Sequence, residues 1–254
     1  DAALRIAEPA LGFEQLRGDF RYDTARGLSA DDIQARLFGR AVSGKAVATG
    51  SAGKPASRVE ARGDVGLKQL LEWLEVDQPL PASGELPYQL RLDLAGENSQ
   101  LQIDSSLQGL RIDLPAPFGK TAGVRRDTSL RMSLQGAERR YGVQYGTLAA
   151  LAFAAPPDAW AQGRGELRLG AGAANLPART GLYVRGRLAE LDWKAWQAVL
   201  DQHGKGDPQQ TTGSLLRQVQ VDIGRFDGFG THIDNLGVDL QRLSNAWALN
   251  LRSS

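Results

Sequence analysis

Residues 85–94 read ELPYQLRLDL, and this stretch decides the fold class. Apolar or aromatic side chains occupy every second position, at 86, 88, 90, 92 and 94, and most of the residues between them are polar. A period of two places alternate side chains on opposite faces of a β-strand. The stretch therefore predicts a strand with one apolar face and one polar face.

Similar patterns lie on both sides of this strand. Residues 96–98 (Gly-Glu-Asn) predict a turn, and Leu101 and Ile103 continue the alternation on a returning strand. Further strand patterns occur at 13–23, 32–42, 57–65, 130–134, 141–145, 163–172, 182–188, 219–223, 233–240 and 246–252. Successive strands joined by turn residues favour an antiparallel meander. The predicted fold is therefore mainly β.

Residues 105–120 (SSLQGLRIDLPAPFGK) combine a short strand with an abrupt end. Leu110 and Ile112 alternate with charged residues, which predicts one apolar face. Pro115 and Pro117 lack the N–H groups that a central strand donates, so the strand ends before them. We interpret the segment as a corner of the sheet, with its apolar side chains on the inside.

Two segments change to a helical period. Residues 66–76 (GLKQLLEWLEV) place four leucines on one helical face, and Asp64 is a candidate N-cap. The second segment is 192–202 (DWKAWQAVLDQ), with Asp192 as its candidate N-cap. Trp193, Trp196 and Leu200 are predicted to share its face. Tryptophans at this spacing favour a helix packed on a sheet, and lining a lipid cavity is the functional alternative.

The two helical segments also echo each other. Arg62-Gly63 precedes the first helix and Trp73, and Arg185-Gly186 precedes the second helix and Trp196 at the same separation. A degenerate strand-then-helix repeat would explain this echo. Two unrelated amphipathic helices that each contain tryptophan explain it equally well.

Composition excludes several classes of function. Lys and Arg number 30 against 29 Asp and Glu, so no net charge draws the chain to nucleic acid. Cysteine is absent, which excludes thiolate zinc sites, iron–sulfur clusters and a cysteine nucleophile. The histidines, His203 and His232, lack metal-ligand spacing and are interpreted as surface residues. No catalytic motif is present, so we expect no enzyme activity, cofactor or metal.

The balance of strands and helices carries the main functional signal. Many strands have an apolar face, and only two short helices are available to cover it. A closed sandwich would hide such faces against each other. An open trough would instead leave them free to hold acyl chains. The alternation alone does not decide between these two arrangements.

Several segments resemble the YhdP family, in the AsmA-like group of Gram-negative bacteria. The most specific is 106–120 (SLQGLRIDLPAPFGK), which is similar to a Leu-Pro-x-Pro segment of that family. Looser similarity covers Arg17–Asp23 with Gly27-Leu28 and Leu37-Phe38-Gly39, and also Glu72-Trp73-Leu74 and Leu191-Asp192-Trp193. The similarity extends over the whole chain.

The resemblance implies a long, twisted, curled antiparallel sheet with a hydrophobic groove. It also implies a periplasmic section of a longer protein that is anchored in the inner membrane. Residues 1–254 would form a single elongated section, with two possible sub-units at 1–125 and 126–254. Its function would be to move phospholipids between the inner and outer membranes. Its partners would be phospholipid acyl chains, the rest of the same chain and components of both membranes.

The candidate groove residues are those predicted to face inward. They are Leu86, Tyr88, Leu90, Leu92, Leu101, Ile103, Leu110, Ile112, Met132 and Val143. Lys120 ends the matched segment and is a candidate headgroup contact, although a solvated turn lysine is the simpler interpretation. The rival function is a closed β-sandwich that acts as a spacer or docking module without lipid.

Overall fold

The computed structural model describes residues 2–6, 11–51, 53–73, 80–203, 215–244 and 246–253. Most of the described residues lie in β-strands, which are accompanied by two helices. The prediction of a mainly β fold with two short helices is confirmed.

Contacts divide the chain into two compact units, each built from three segments. The first unit contains Asp1–Asp77, Ser83–Leu110 and Ala122–Arg139. The second contains Gln78–Ala82, Arg111–Thr121 and Arg140–Ser254. Residues 111–121, called the proline-rich segment below because they contain Pro115 and Pro117, therefore belong to the second unit, whereas the strand at residues 100–105 belongs to the first.

The first unit is an antiparallel meander. Its elements are β1 (Ala2–Ile6), β2 (Leu11–Asp23), β3 (Gly27–Leu37), β4 (Arg40–Ala48), β5 (Ser57–Gly66), α1 (Leu67–Trp73), β6 (Ala82–Leu94), β7 (Gln100–Ser105), the first residue of β8 (Leu110–Ile112), and β9 (Thr128–Ser133). Each strand from β1 to β7 pairs with the next, and β7 pairs with β9. This is the arrangement that alternation and turns predict.

The second unit is mixed. Its elements are β10 (Arg139–Tyr145), β11 (Ala149–Ala155), β12 (Arg164–Leu169), β13 (Gly181–Asp192), α2 (Trp193–His203), β14 (Leu216–Gly228), β15 (Thr231–Arg242) and β16 (Trp247–Arg252). β12 and β14 both run parallel to β13, whereas β14, β15 and β16 are antiparallel. Parallel neighbours need a long crossover, and α2 lies in the one between β13 and β14.

Helix α1 differs in part from the prediction. It begins at Leu67, and the predicted residues 74–76 lie outside the described part of the chain. The prediction that Asp64 caps this helix is wrong, because β5 continues through Gly66. The Trp73 ring packs against Phe38, with ring centroids 6.0 Å apart. Packing is therefore the role that the structure gives this tryptophan.

Helix α2 confirms its predicted cap. The Ala195 N–H donates to Asp192 Oδ1 at 3.0 Å, which satisfies one of the free donors of the first turn. Trp196 meets the Phe118 ring edge-on, with centroids 5.8 Å apart. Leu200 is 53% exposed, so the prediction that it shares the packed face is wrong.

The internal echo does not extend to topology. β5 and β6, on either side of α1, are antiparallel. β13 and β14, on either side of α2, are parallel. Both helices directly follow a strand, as the repeat hypothesis requires, so the hypothesis stays a prediction, although the strands that come after the two helices run in different directions.

Candidate functional site

The apolar side chains of the first unit fall into rows that cross the strands. Leu92 on β6 pairs with Val59 on β5 and with Leu101 on β7, and Leu101 pairs with Met132 on β9. The neighbouring row joins Ala61, Leu90, Ile103 and Leu130 in the same order. Side chains two residues apart on a strand share a face, so these rows form one apolar surface.

The opposite face of the same strands is charged. Glu60 lies 3.3 Å from the Lys45 ammonium and 3.7 Å from the Arg91 guanidinium. Arg58 and Asp93 are paired at 2.6 Å, and this bond to Asp93 raises the pKa of Arg58. Each strand therefore has one face suited to water and one suited to apolar contacts.

Most of the candidate groove residues lie together on this apolar surface. They are Leu86, Tyr88, Leu90 and Leu92 on β6, Leu101 and Ile103 on β7, and Met132 on β9. Leu101 is 2% exposed and Leu92 is 4% exposed. The centre of the surface is thus packed against other protein atoms and is not open to solvent.

Tyr88 places a polar atom within this apolar surface. Its side chain is 8% exposed, and its hydroxyl has no hydrogen-bond partner among the described residues. Burial, with a smaller contribution from the charge of Asp64, raises the pKa of Tyr88 to about 12. Gly63 lies opposite Tyr88, and a Cβ atom there would be 3.0 Å from the hydroxyl. The absence of a side chain at Gly63 makes room for the ring.

The second unit has its own apolar surface, on β13 to β16. Its buried centre contains Leu188, Ile223 and Leu236, which are register partners across β13, β14 and β15, together with Val221. A second row joins Val184, Val219, Leu240 and Leu249. The same alternation that builds the first surface therefore builds this one, although its β13–β14 pair is parallel.

Phe118 covers the centre of this second surface. Its ring packs on the cluster around Ile223 and against Trp196 of α2. Its carbonyl oxygen accepts a hydrogen bond of 2.6 Å from the Tyr145 hydroxyl. The proline-rich segment is thus fastened to the sheet by Phe118, a role that the sequence pattern did not predict. The sequence feature that indicates this role is the large apolar ring of Phe118 inside an otherwise small and polar turn.

The remaining candidate residues are distributed between the units. Leu110 is 5% exposed and lies in the first unit. Ile112 and Val143 lie in the second unit and are half-buried. The rows of the first unit are therefore formed without these two residues.

Lys120 is buried, with 7% of its surface exposed. Its backbone pairs with Ile112 through hydrogen bonds of 2.9 and 3.0 Å in the two directions. The interpretation of Lys120 as a solvated turn lysine is therefore wrong. Contact between this ammonium and a lipid headgroup stays a prediction.

An aromatic cluster lies near β11. Phe153 stacks on Trp160 with ring centroids 5.5 Å apart, and Tyr141 lies 5.1 Å from Trp160. Phe153 also packs with Ala155 and Leu215. The apolar sequence AALAFAA of β11 (Ala149–Ala155) therefore forms a strand that is anchored by aromatic rings.

His232 lies on the surface, as predicted. Its Nδ1 is 2.6 Å from Asp227 Oδ1, and its Nε2 is 3.3 Å from Asp234 Oδ1. The hydrogen bond to Asp227 raises the pKa of His232 and lowers that of Asp227. No group of His, Cys, Asp and Glu residues in the described part of the chain is arranged to hold a metal ion.

The fold and its surfaces define a class of protein: a mainly β protein in which strand alternation gives each of the two units an apolar face, which in the first unit is backed by a charged one. The family model described as YhdP protein matches residues 1–254, and the chain belongs to the YhdP family. The resemblance found in the sequence is thereby confirmed. No curated protein and no solved structure matches the chain.

Membership places the chain among AsmA-like proteins of the bacterial envelope, in a family associated with lipid transport and not known for enzymatic activity. Neither α1 nor α2, the helices of the described residues, has the length and apolarity needed to cross a membrane.

Proposed function

We propose that this chain is a section of a hydrophobic conduit that moves phospholipids between the inner and outer membranes and so supports the outer-membrane barrier. Acyl chains would lie on the apolar rows, and headgroups would stay in water at the edge of the sheet. The observation that carries the proposal is the register, which places Leu92, Leu101 and Met132 in one row across successive strands. Family membership supports the same function.

The physics of such a track needs no specific site. Apolar contact is non-directional, and burial of each methylene contributes about 0.8 kcal/mol wherever it lies on the surface. Neighbouring strands are separated by about 4.8 Å, so an acyl chain can move between adjacent positions that offer similar contacts. Transport along the rows would therefore meet small barriers and would require no nucleotide or metal in this section.

The burial of the first surface sets a condition on this mechanism. Leu92 and Leu101 retain almost no exposure, so acyl chains would reach them only after the groups packed on them move apart. Leu249 and Leu251 on β16 are 56% and 57% exposed and need no such movement. We propose that lipid contacts form more readily at exposed apolar side chains such as these than at the centre of the first surface.

The localisation follows from the same proposal. The chain would be a periplasmic section of a protein anchored in the inner membrane. Its partners would be phospholipid acyl chains, the rest of the same chain and components of the two membranes. Support comes from membership of an envelope family.

A charge on the apolar face tests the conduit. In the complete protein, Leu90→Asp places a carboxylate on the apolar face of β6, and we expect it to abolish complementation of a deletion strain. Gln89→Asp is the matched control, because Gln89 is the exposed neighbour on the opposite face. Circular dichroism of both variants verifies folding. If folded Leu90→Asp protein still complements, the apolar face is not the lipid track.

The second candidate is a packed spacer or docking module without lipid cargo. The low exposure of Leu92 and Leu101 favours it, because a dry, fully packed face needs no ligand. Native mass spectrometry of the gently purified protein separates the two functions. The conduit predicts co-purified phospholipid, and its consistent absence supports the spacer.

A further inference from the structure

The polar face of the second unit carries two adjoining cavities that the proposed conduit does not use. The first has a volume of about 370 Å³, and its polar lining consists of Arg168, Arg185, Arg187, Gln220, Asp222 and Arg252. The second, of about 510 Å³, is also rich in arginine and shares Arg185 with the first. Arginine is therefore concentrated on the face that points away from the apolar rows.

The register of β12 to β16 brings these arginines together. Arg168 and Arg185 are direct partners in the parallel ladder, an arrangement in which like charges repel. Arg252 pairs with Gly237, where a Cβ atom would lie 3.5 Å from Arg252 Nε and 3.6 Å from Asp222 Oδ1. Gly237 therefore leaves the floor of the first cavity open between these two side chains.

A buried carboxylate lies next to two arginines of the first cavity. Glu166 is 3% exposed, with its Oε1 3.6 Å from Arg168 Nη1 and its Oε2 3.6 Å from Arg185 Nη1. This carboxylate holds the two guanidinium groups side by side. It does not use their full donor capacity, because both Nε–H groups are buried without an acceptor among the described residues.

The charges around this cavity do not balance. Four guanidinium groups, from Arg168, Arg185, Arg187 and Arg252, face two carboxylates, from Asp222 and Glu166. Two positive charges remain uncompensated, although the whole chain carries a formal net charge of only +1. A local surplus of this kind with unused donors attracts an anion.

We propose that the first cavity binds a phosphate group. The guanidinium groups of Arg168 and Arg185, whose side chains line the cavity, would bind the anion, and Arg187 and Arg252 would complete its charge compensation from the exposed side. Guanidinium forks match the oxygens of phosphate in paired, charge-assisted hydrogen bonds. The small volume selects a single phosphorylated group and not a segment of a macromolecule. The site is on the polar face, so the phosphate-site proposal does not depend on whether the conduit proposal is correct.

The direct test follows the arginine Nε–H signals of the complete protein by ¹⁵N NMR during addition of inorganic phosphate at low ionic strength. We expect saturable shifts for Arg168 and Arg185. The double variant Arg187→Gln/Arg252→Gln should weaken binding about tenfold, because two charged contacts are lost. Both side chains are exposed and make no ion pair among the described residues, so this variant should fold.

Two further variants show whether the effect belongs to the cavity. Arg225→Gln removes the same charge from the same face, but Arg225 is paired with Glu190 and Asp227 outside both cavities. We expect it to leave phosphate binding within about twofold of the native value, since it lies outside the first cavity. Asp222→Asn removes the lining carboxylate and should tighten binding severalfold, an effect that a merely structural role would not produce.

Vesicles distinguish the source of the phosphate. Phosphatidylcholine vesicles with and without phosphatidic acid are added to native protein and to the double variant. Binding of inorganic phosphate alone identifies a dissolved phosphorylated ligand, and binding of phosphatidic acid vesicles alone identifies a lipid headgroup. Two results would refute the site. The first is the absence of both a saturable NMR shift with phosphate and a preference for vesicles that contain phosphatidic acid. The second is an equal loss of phosphate affinity in the double variant and in Arg225→Gln.

Discussion

The apolar surfaces of the two units are built alike but are covered differently. In the first unit, the row through Leu92 and Leu101 is buried where it crosses β6 and β7. In the second, the centre around Ile223 lies under Phe118, which packs against Trp196, and the two neighbouring rows end on β16 at the exposed residues Leu249 and Leu251. Register alone makes an apolar surface, whereas the side chains packed on it decide how much of it is available.

The difference in burial predicts the largest difference in stability. Leu92→Ala removes methylene groups from a packed position and should destabilise the protein by about 3 kcal/mol. Leu251→Ala makes the same change on the exposed edge strand and should alter the free energy of unfolding by less than about 0.5 kcal/mol. Urea denaturation of both variants measures the contrast. An equal loss of stability in Leu92→Ala and Leu251→Ala would show that the two surfaces do not differ in packing.

Phe118, which covers the second surface, predicts a smaller loss of stability when its ring is removed. Phe118→Ala removes the ring that lies on the cluster around Ile223, and we expect a loss of about 2 kcal/mol, because the ring is only half-buried. Leu200→Ala is the matched control, because the Leu200 side chain on α2 is exposed, and this change should leave the free energy of unfolding nearly unchanged. Unfolding by urea reports both changes. No loss in Phe118→Ala would mean that the proline-rich segment is not fastened by its aromatic ring.

The buried Tyr88 hydroxyl on the first surface predicts a gain in stability when it is removed. Tyr88→Phe removes a buried polar atom that has no hydrogen-bond partner in the described part of the chain, and it should stabilise the protein by about 1 kcal/mol at neutral pH. The pKa of Tyr88 is raised to about 12 from 10.0, so the native protein should lose stability as the pH rises from 10 through 12. The variant should lose less over this range. A destabilised Tyr88→Phe protein would show that the hydroxyl has a partner.

The smallest expected effect concerns the polar faces. The first unit pairs its charges through Lys, Arg, Asp and Glu, whereas the second includes His232 beside Asp227. The pKa of His232 is raised above 6.5, so its stabilising pair is complete below that pH and is lost as the pH rises through the folded-state pKa. NMR titration should show the raised pKa, and Asp227→Asn should lower it towards 6.5. An unchanged His232 titration in that variant would remove Asp227 as the cause.

Local patterns predicted the parts of the fold that depend on neighbouring residues. Alternation in residues 85–94 identified most of β6, which extends from Ala82 to Leu94. The helical period and Asp192 identified α2 and its cap. Asp64 failed as a cap because the alternation of β5 continues to Gly66, and strand pairing outweighs a short-range capping preference.

Features that join distant segments were not predictable in this way. The parallel pairs around β13 depend on how the chain returns after α2, which no local period records. The arginine cavity joins Arg168, Arg185 and Arg252 from three strands, and only the register brings them together. Phe118 likewise finds its partners on α2 and on strands far along the chain.

Mapping acyl contacts directly tests the central claim. The complete protein is irradiated with a phospholipid that carries a photoreactive group in its acyl chain, and the cross-linked residues are identified by mass spectrometry. The conduit predicts labels on the apolar face, at Leu90, Leu92, Leu249 and Leu251, with few at Gln89 and Arg91. Equal labelling of both faces, or none on the apolar face, would contradict the proposal that the register-aligned rows hold lipid.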